Sequence, residues 1–493
     1  MKTSVKRLLS LLCVVAVATA TMASCKKDTD VQTSSEEYEI EYIYESEETD
    51  GTESEGTETN STETGASSKD TSSKDTSSKD TSSKDTSSKD TSSKDTASVI
   101  KGSGSYHKWD YSSLKGKKVT FAMWTDYIKP YAESVIKTFE KETGMDFEYM
   151  NVPQVDYIKT VSGKIGTGTG PDVVIDNSDF PGSLQILAPC NDYVDLSDPI
   201  WDADYYNLYT INGKTYSIRA ASCIFTGTNM LYYNKTLLSK AGVTSPADLY
   251  KAGNWNWDTF TALMKAYKNS STKVKGTNPM YLDARYTMAS IGADVFKYDP
   301  KTYSFSNNLN DPLVTKAVSK YAEWTKAGYS ANEDILSGKA AMQLTFLTKK
   351  DVQSSNVTLN DLACVPAPDY DANNKAVKSV GGKGWGIAKG AQNPEGAGIF
   401  IKYYTDPNNY NANEFFINDE ATKMFFEDKT SNRPSHMNVL YGVCAANGVD
   451  AAPYCMLGSG IDPSQVNVTL DAMKAETTAR ANKATKVLQD FTK

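Results

Sequence analysis

The chain has 493 residues, 39% of them hydrophobic and 23% charged, with a net charge of −9, and is long enough to bury two sizeable cores. The charge is unevenly laid out: twelve acidic residues and no base between Val31 and Ser68, against three bases in Met1–Ser24, leave residues 97–493 close to neutral. That balance excludes a basic nucleic-acid footprint and an acidic body that needs a cationic partner.

Residues 1–24 read as a secretory signal peptide, with Lys2, Lys6 and Arg7 ahead of the apolar run Leu8–Thr21 and small residues before Cys25. The run falls short of the roughly 20 residues of a membrane span, and Lys26 and Lys27 stop its extension. Met22-Ala23-Ser24-Cys25 resembles the lipobox of bacterial lipoproteins, with Met22 where Leu is usual. The resemblance implies that Cys25 carries lipid (palmitate) and becomes the mature N-terminus. Residues 25–116 read as a disordered linker: an acidic Ser/Thr/Glu stretch, then Ser-Ser-Lys-Asp-Thr read six times from Ser67 to Thr96. Such a segment has too little apolar surface to offset the entropy of ordering. As a flexible coil it spans on the order of 50 Å.

The body begins near Lys117. Residues 119–124 (VTFAMW) read as a buried strand, and 131–143 as an amphipathic helix ended by Gly144. Then follow a strand at 147–150, a helix at 155–165 and the doubly apolar strand PDVVID at 171–176. Strand–helix alternation of this kind predicts a mostly parallel sheet covered on both faces, with ligands at the carboxyl ends of its strands. Those ends are Trp124–Tyr127 and Asn177–Phe180. The last helix is expected over Val468–Phe491, with Leu470, Met473 and Val487 inward.

Seven segments carry a family resemblance: Phe139–Gly144 (FEKETG), Thr167–Val174 (TGTGPDVV), Asn212–Ile218 (NGKTYSI), Leu231–Lys235 with Ala241-Gly242, Trp257–Phe260 (WDTF), Leu336–Met342 (LSGKAAM), and Gly384–Gly390 with Asn393-Pro394-Glu395. In this order they resemble the extracellular solute-binding proteins of family 1, the sugar-binding lipoproteins of ABC transporters that are similar to maltose-binding protein. Ser217-Ile218-Arg219 departs from the Tyr-Gly-x-Pro pattern of that family. The resemblance implies a two-lobed, type II periplasmic-binding-protein-like α/β fold. The N-terminal lobe would be 117–231 plus 383–432, and the C-terminal lobe 232–382 plus 433–493. Crossings are expected near Met230–Tyr233, Gly381–Trp385 and Asn432–Pro434.

Such a receptor would bind a sugar through flat aromatic planes and directional polar groups. The expected ligand contacts are Trp124 and Asp126 after the first strand, Asp179 after the third, Arg219, Phe346 after the GKAAM strand, and Trp385 at the return crossing. Each has a plainer reading: sheet-edge core for Trp124, helix caps for Asp126 and Asp179, an ion pair for Arg219, hinge packing for Phe346 and Trp385. Trp255, Trp257 and Trp324 sit in helical stretches and are expected in the core.

An enzyme is not expected. His436 is the sole histidine of the body, no H-E-x-x-H occurs, and Gly166–Gly170 enters a strand instead of joining strand to helix. The five body cysteines, Cys190, Cys223, Cys364, Cys444 and Cys455, show no metal spacing. They read as small buried residues, with Cys190–Cys223 and Cys444–Cys455 as the conceivable pairs. No cofactor and no metal are expected. The expectation is a monomeric, lipid-anchored binding protein of an ABC importer on the outer face of a Gram-positive membrane. It would pass a carbohydrate, an oligosaccharide above all, to permease subunits. A receptor for a peptide or polyamine, a receptor serving a sensor kinase, and a surface glycosidase with two carboxylates are the alternatives.

Overall fold

The computed structural model describes residues 105–123, 129–153, 156–176, 183–226, 230–273, 276–278, 285–329, 334–371, 378–380, 383–430, 435–437 and 461–491. The signal segment, Cys25 and the repeats lie outside them.

Two sheets organise the body. Their strands are β1 (Lys118–Met123), β2 (Asp146–Asn151), β3 (Val173–Asp176), β4 (Leu187–Ala188), β5 (Met230–Asn234), β6 (Gly276–Asn278), β7 (Ala340–Thr345), β8 (Leu362–Pro366) and β9 (Gly384–Ala388). The helices used below are α1 (Lys129–Thr143), α2 (Tyr157–Gly166), α3 (Trp257–Asn269), α4 (Pro312–Lys326), α5 (Lys349–Gln353), α6 (Pro394–Thr405), α7 (Ala412–Phe415), α8 (Asp419–Thr430) and α9 (Val466–Phe491). The first sheet runs β2-β1-β3-β9-β4 and the second β8-β5-β7-β6.

β1, α1, β2, α2 and β3 appear in the expected order. Val119, Phe121, Ala122 and Met123 of β1 are buried, and α1 turns Ala132, Val135, Ile136 and Phe139 inward at helical spacing. α1 ends where Gly144 takes φ +69°, a conformation glycine reaches without a Cβ clash. β1 pairs in parallel with β2 and β3. Both sheets are mostly parallel in strand direction, as expected, and each carries one reversed strand. β9 runs antiparallel to β3 and β4, and β5 antiparallel to β7 and β8. The cause is where the chain enters. β9 and β5 each start at the edge where β3 and β7 end, since Gly384 faces Asp176 and Met230 faces Thr345. A strand entered from that edge must run away from it.

β5 belongs to the second sheet from Met230 and β9 to the first from Gly384. The third expected crossing, at 432–434, is preceded by an earlier one. α8 already packs on β8, and Phe416 bridges Thr348 beside α5. The chain therefore passes between the sheets around α7, where aromatic residues left no loop signal to read. α9 is found as expected, with Leu470, Met473 and Leu488 buried; Leu488, not Val487, fills the last inward position.

The linker boundary also moves. Tyr106, Tyr111 and Leu114 are buried on the first lobe, so the folded body begins by Ser105, not Lys117. The Tyr106 hydroxyl donates to Asp406 at 2.8 Å, and His107 Nδ1 lies 2.7 Å from Glu142 at the end of α1. Trp109 covers the ammonium of Lys402, 4.4 Å from its ring, while Lys402 donates to Asp198 at 2.7 Å. The aromatic side chains of this short run bury enough surface to fold it down, which the repeats beside it lack.

Trp255, Trp257 and Trp324 are core residues as expected, Trp255 from the loop ahead of α3 and not from a helix. Asn256 caps α3 by a reciprocal box with Thr259. Trp257 and Trp324 meet edge to face at 5.9 Å, and the Trp255 indole donates to the Pro366 carbonyl at 2.7 Å.

Candidate ligand-binding cleft

Both sheets present strand ends to the crossing segments. On the first, β1 ends at Met123 and β3 at Asp176, beside the start of β9. On the second, β7 and β8 end at Thr345 and Pro366, beside the start of β5. In open α/β sheets, this is the edge where a ligand is held. Trp124, Asp126 and Asp179 follow Met123 and Asp176 directly in the chain and lie outside the described residues.

The other three expected contacts separate into two groups. Arg219 and Trp385 come together inside the first lobe. Ile218, next to Arg219, exchanges backbone hydrogen bonds with Trp385 at 2.8 and 3.0 Å. Arg219 is 1% exposed and Trp385 0%, so neither side chain offers surface to a ligand in this structure. The Arg219 guanidinium is held by Asp202 at 3.0 Å and by the Lys383 carbonyl at 2.9 Å. The Trp385 ring meets Tyr404 edge-on at 5.7 Å, and its indole N–H is buried without a partner among the described residues.

Phe346 sits apart, at the end of β7. It packs on Phe415 and Phe416 at 5.7 and 6.0 Å. Phe415 in turn takes Tyr131 of α1 and Phe225 of the first lobe at 5.0 and 5.6 Å. The Tyr131 hydroxyl lies against Thr348 and the Lys350 backbone, and its pKa is raised by burial. Phe346 thus belongs to an aromatic wedge between the lobes, the packing role that its position also allowed.

A buried polar cluster closes the end of β3, and sequence reading missed it. Asp176 accepts from the Ser183 hydroxyl at 2.5 Å and from the Tyr205 hydroxyl at 3.1 Å. Burial pushes its carboxyl above the usual carboxylate range, against those hydrogen bonds. The available signal was an acid ending a strand otherwise apolar on both faces. A groove of about 560 Å³ runs along α2, lined by Asp156, Lys159, Thr160, Gly163, Lys164, Thr167 and Thr169. It is open and offers no aromatic plane to a ligand.

Cys190, Cys223 and Cys364 are buried, and no disulfide joins Cys190 to Cys223; Cys444 and Cys455 lie outside the described residues. Among the described residues no cluster of three or more His, Cys, Asp or Glu could hold a metal ion, and no helix is long and apolar enough to cross a membrane.

A family model described as bacterial extracellular solute-binding protein matches residues 124–410. The maltodextrin-binding protein of Bacillus subtilis is 26% identical over 334 residues, covering 64% of this chain and 78% of that relative. A maltooligosaccharide ABC transporter solute-binding lipoprotein of Streptococcus pneumoniae is 26% identical over 340 residues, covering 66% and 74%. Among solved structures, the sugar-binding protein MalE of Xanthomonas citri superposes with a TM-score of 0.53 at 16% identity, over 76% of this chain and 98% of that one. A binding protein of B. animalis subsp. lactis in complex with beta-1,6-galactobiose gives 0.53 at 14% identity, over 74% and 99%. These likenesses establish the two-lobed type II fold.

Proposed function

The chain belongs to the bacterial extracellular solute-binding protein family, and from that premise we propose that it captures a carbohydrate between its lobes for an ABC importer. The observation that carries the reading is the match over residues 124–410, which runs through both sheets and the segments joining them. Relatives named for maltodextrin and maltooligosaccharide support an oligosaccharide as the ligand.

In this reading Trp124 supplies a plane for a sugar ring, and Asp126 and Asp179 accept hydrogen bonds from its hydroxyls. The lobes close on the ligand because it touches both of them only in the closed form. Cys25 carries the lipid that holds the chain on the outer face of the membrane, and membrane permeases receive the sugar. ATP hydrolysis falls to a separate subunit.

A thermal-shift panel of mono- and oligosaccharides, peptides and polyamines tests the assignment, since a ligand that binds only the folded state raises its melting temperature. A rise with an oligosaccharide supports it. A rise with a peptide or polyamine alone replaces the sugar by that class. New reducing ends on incubation with an oligosaccharide would turn the reading to a glycosidase.

A further inference from the structure

The two positions at which Tyr216–Arg219 departs from the family pattern meet in one buried cluster. Arg219 donates through Nε to Asp202 and through Nη1 to the Lys383 carbonyl, and its guanidinium lies 4.0 Å over the ring of Tyr205. The Ser217 hydroxyl is 2.9 Å from the Tyr205 hydroxyl, which donates to Asp176. The return strand closes the cluster at Gly384. A Cβ there would stand 2.2 Å from the Tyr205 hydroxyl and 2.4 Å from Ser217 Oγ.

Burying a guanidinium is costly, and an apolar side chain of like volume would often pack as stably. What arginine adds is a planar fork that reaches a carboxylate and a carbonyl together while stacking on a ring. Both groups it reaches matter to the crossing. Asp202 belongs to the first lobe, and Lys383 is where the chain comes back from the second. The Ile218–Trp385 backbone pair lies between them.

We infer that Arg219, with Ser217, is a positioning residue for ligand capture, fixing the return crossing at Lys383–Gly384 to the end of β3. It gives the moving lobe a defined point to turn on. The link to capture rests on the proposed closure of the lobes around a ligand; the positioning itself does not.

Amide hydrogen exchange on the ligand-free full chain decides the positioning. The Trp385 and Ile218 amides, bonded to each other's carbonyls, should exchange at least about tenfold faster in Arg219→Lys, which keeps the charge and loses the fork. Phe121 and Val174 amides in the same sheet should keep the parent rate. Ser217→Ala should show a smaller change at the same two amides. Parent-like exchange at Trp385 and Ile218, or equal acceleration across the whole sheet, overturns the proposal. A second arm measures affinity for a saccharide that the parent binds. About tenfold weaker binding by Arg219→Lys supports the link to capture, and parent-like affinity despite fast local exchange overturns that link. If the parent binds no saccharide, the sugar reading fails, and the exchange result still decides whether Arg219 positions the crossing.

Discussion

Replacing Lys402 by methionine removes one charge from the interior of the first lobe while keeping an unbranched side chain of similar length. Lys402 is 4% exposed, on a helix, α6, whose every residue from Gly396 to Thr405 is buried. Its ammonium donates to Asp198 at 2.7 Å and is ringed by Trp109, Trp201 and Tyr106 at 4.4, 5.4 and 5.6 Å. Breaking a buried pair by removing one partner costs about 3–5 kcal/mol. The Asp198 side chain keeps 24% of its surface in water, so solvent returns part of that. The lost cation–π contacts add about 1 kcal/mol. A net loss of about 3 kcal/mol follows, a fall of roughly 6–12 °C for a lobe-sized domain. Thermal and urea unfolding of the purified protein measure it. The exposed Lys137, paired with Glu133 one helical turn away, is the control, and Lys137→Met should melt with the parent. A loss below about 1 kcal/mol for Lys402→Met would mean that the aromatic cage and Asp198 do not hold the N-terminal segment to α6 as described.

Three other outcomes are expected. If Cys25 is lipidated, Cys25→Ser should release the protein from membranes or leave its precursor uncut, and a processed, membrane-bound variant counts against the anchor. Trp124→Ala should weaken sugar binding by roughly 1–3 kcal/mol, as loss of an aromatic stacking platform does, with little change in ligand-free melting; Trp257→Ala should lower stability by about 3–5 kcal/mol instead, leaving affinity intact. Burial pushes the Asp294 carboxyl from 3.8 to about 8; the folded state then holds this proton more tightly than the unfolded chain, so stability is lost as pH rises from about 4 to about 8, at up to about 1.4 kcal/mol per pH unit. Asp294→Asn should therefore melt above the parent at pH 8, with the gap closing toward pH 4, and a constant gap at all pH values would contradict a buried, protonated carboxyl.

What could be read from sequence was local. β1, α1 and β3 announce themselves by apolar spacing and by Gly144 and Pro171, and Trp257 and Trp324 by their helical setting. Strand direction was not local: β5 and β9 run against their neighbours because of the edge at which the chain enters, which no window of residues encodes. The segment from Tyr106 to Leu114 was lost against the polar repeats before it, since its contacts, Glu142, Lys402 and Asp406, are far along the chain. The site divided the same way. Trp124, Asp126 and Asp179 were chosen from strand ends and lie outside the described residues. Arg219 and Trp385 were chosen as ligand contacts, but both side chains are buried, Arg219 against Asp202 and Tyr205 and Trp385 against Tyr404. Nothing in the sequence reveals that Asp176 faces Gly384.

Closure of the two lobes on a carbohydrate can be followed by small-angle scattering through a saccharide titration. A ligand that contacts both lobes only when they are closed must draw the population toward the compact form. The radius of gyration should fall as saccharide is added and saturate at the concentration where the melting temperature stops rising. A protein that no saccharide compacts or stabilises, while a peptide or polyamine does both, would contradict it.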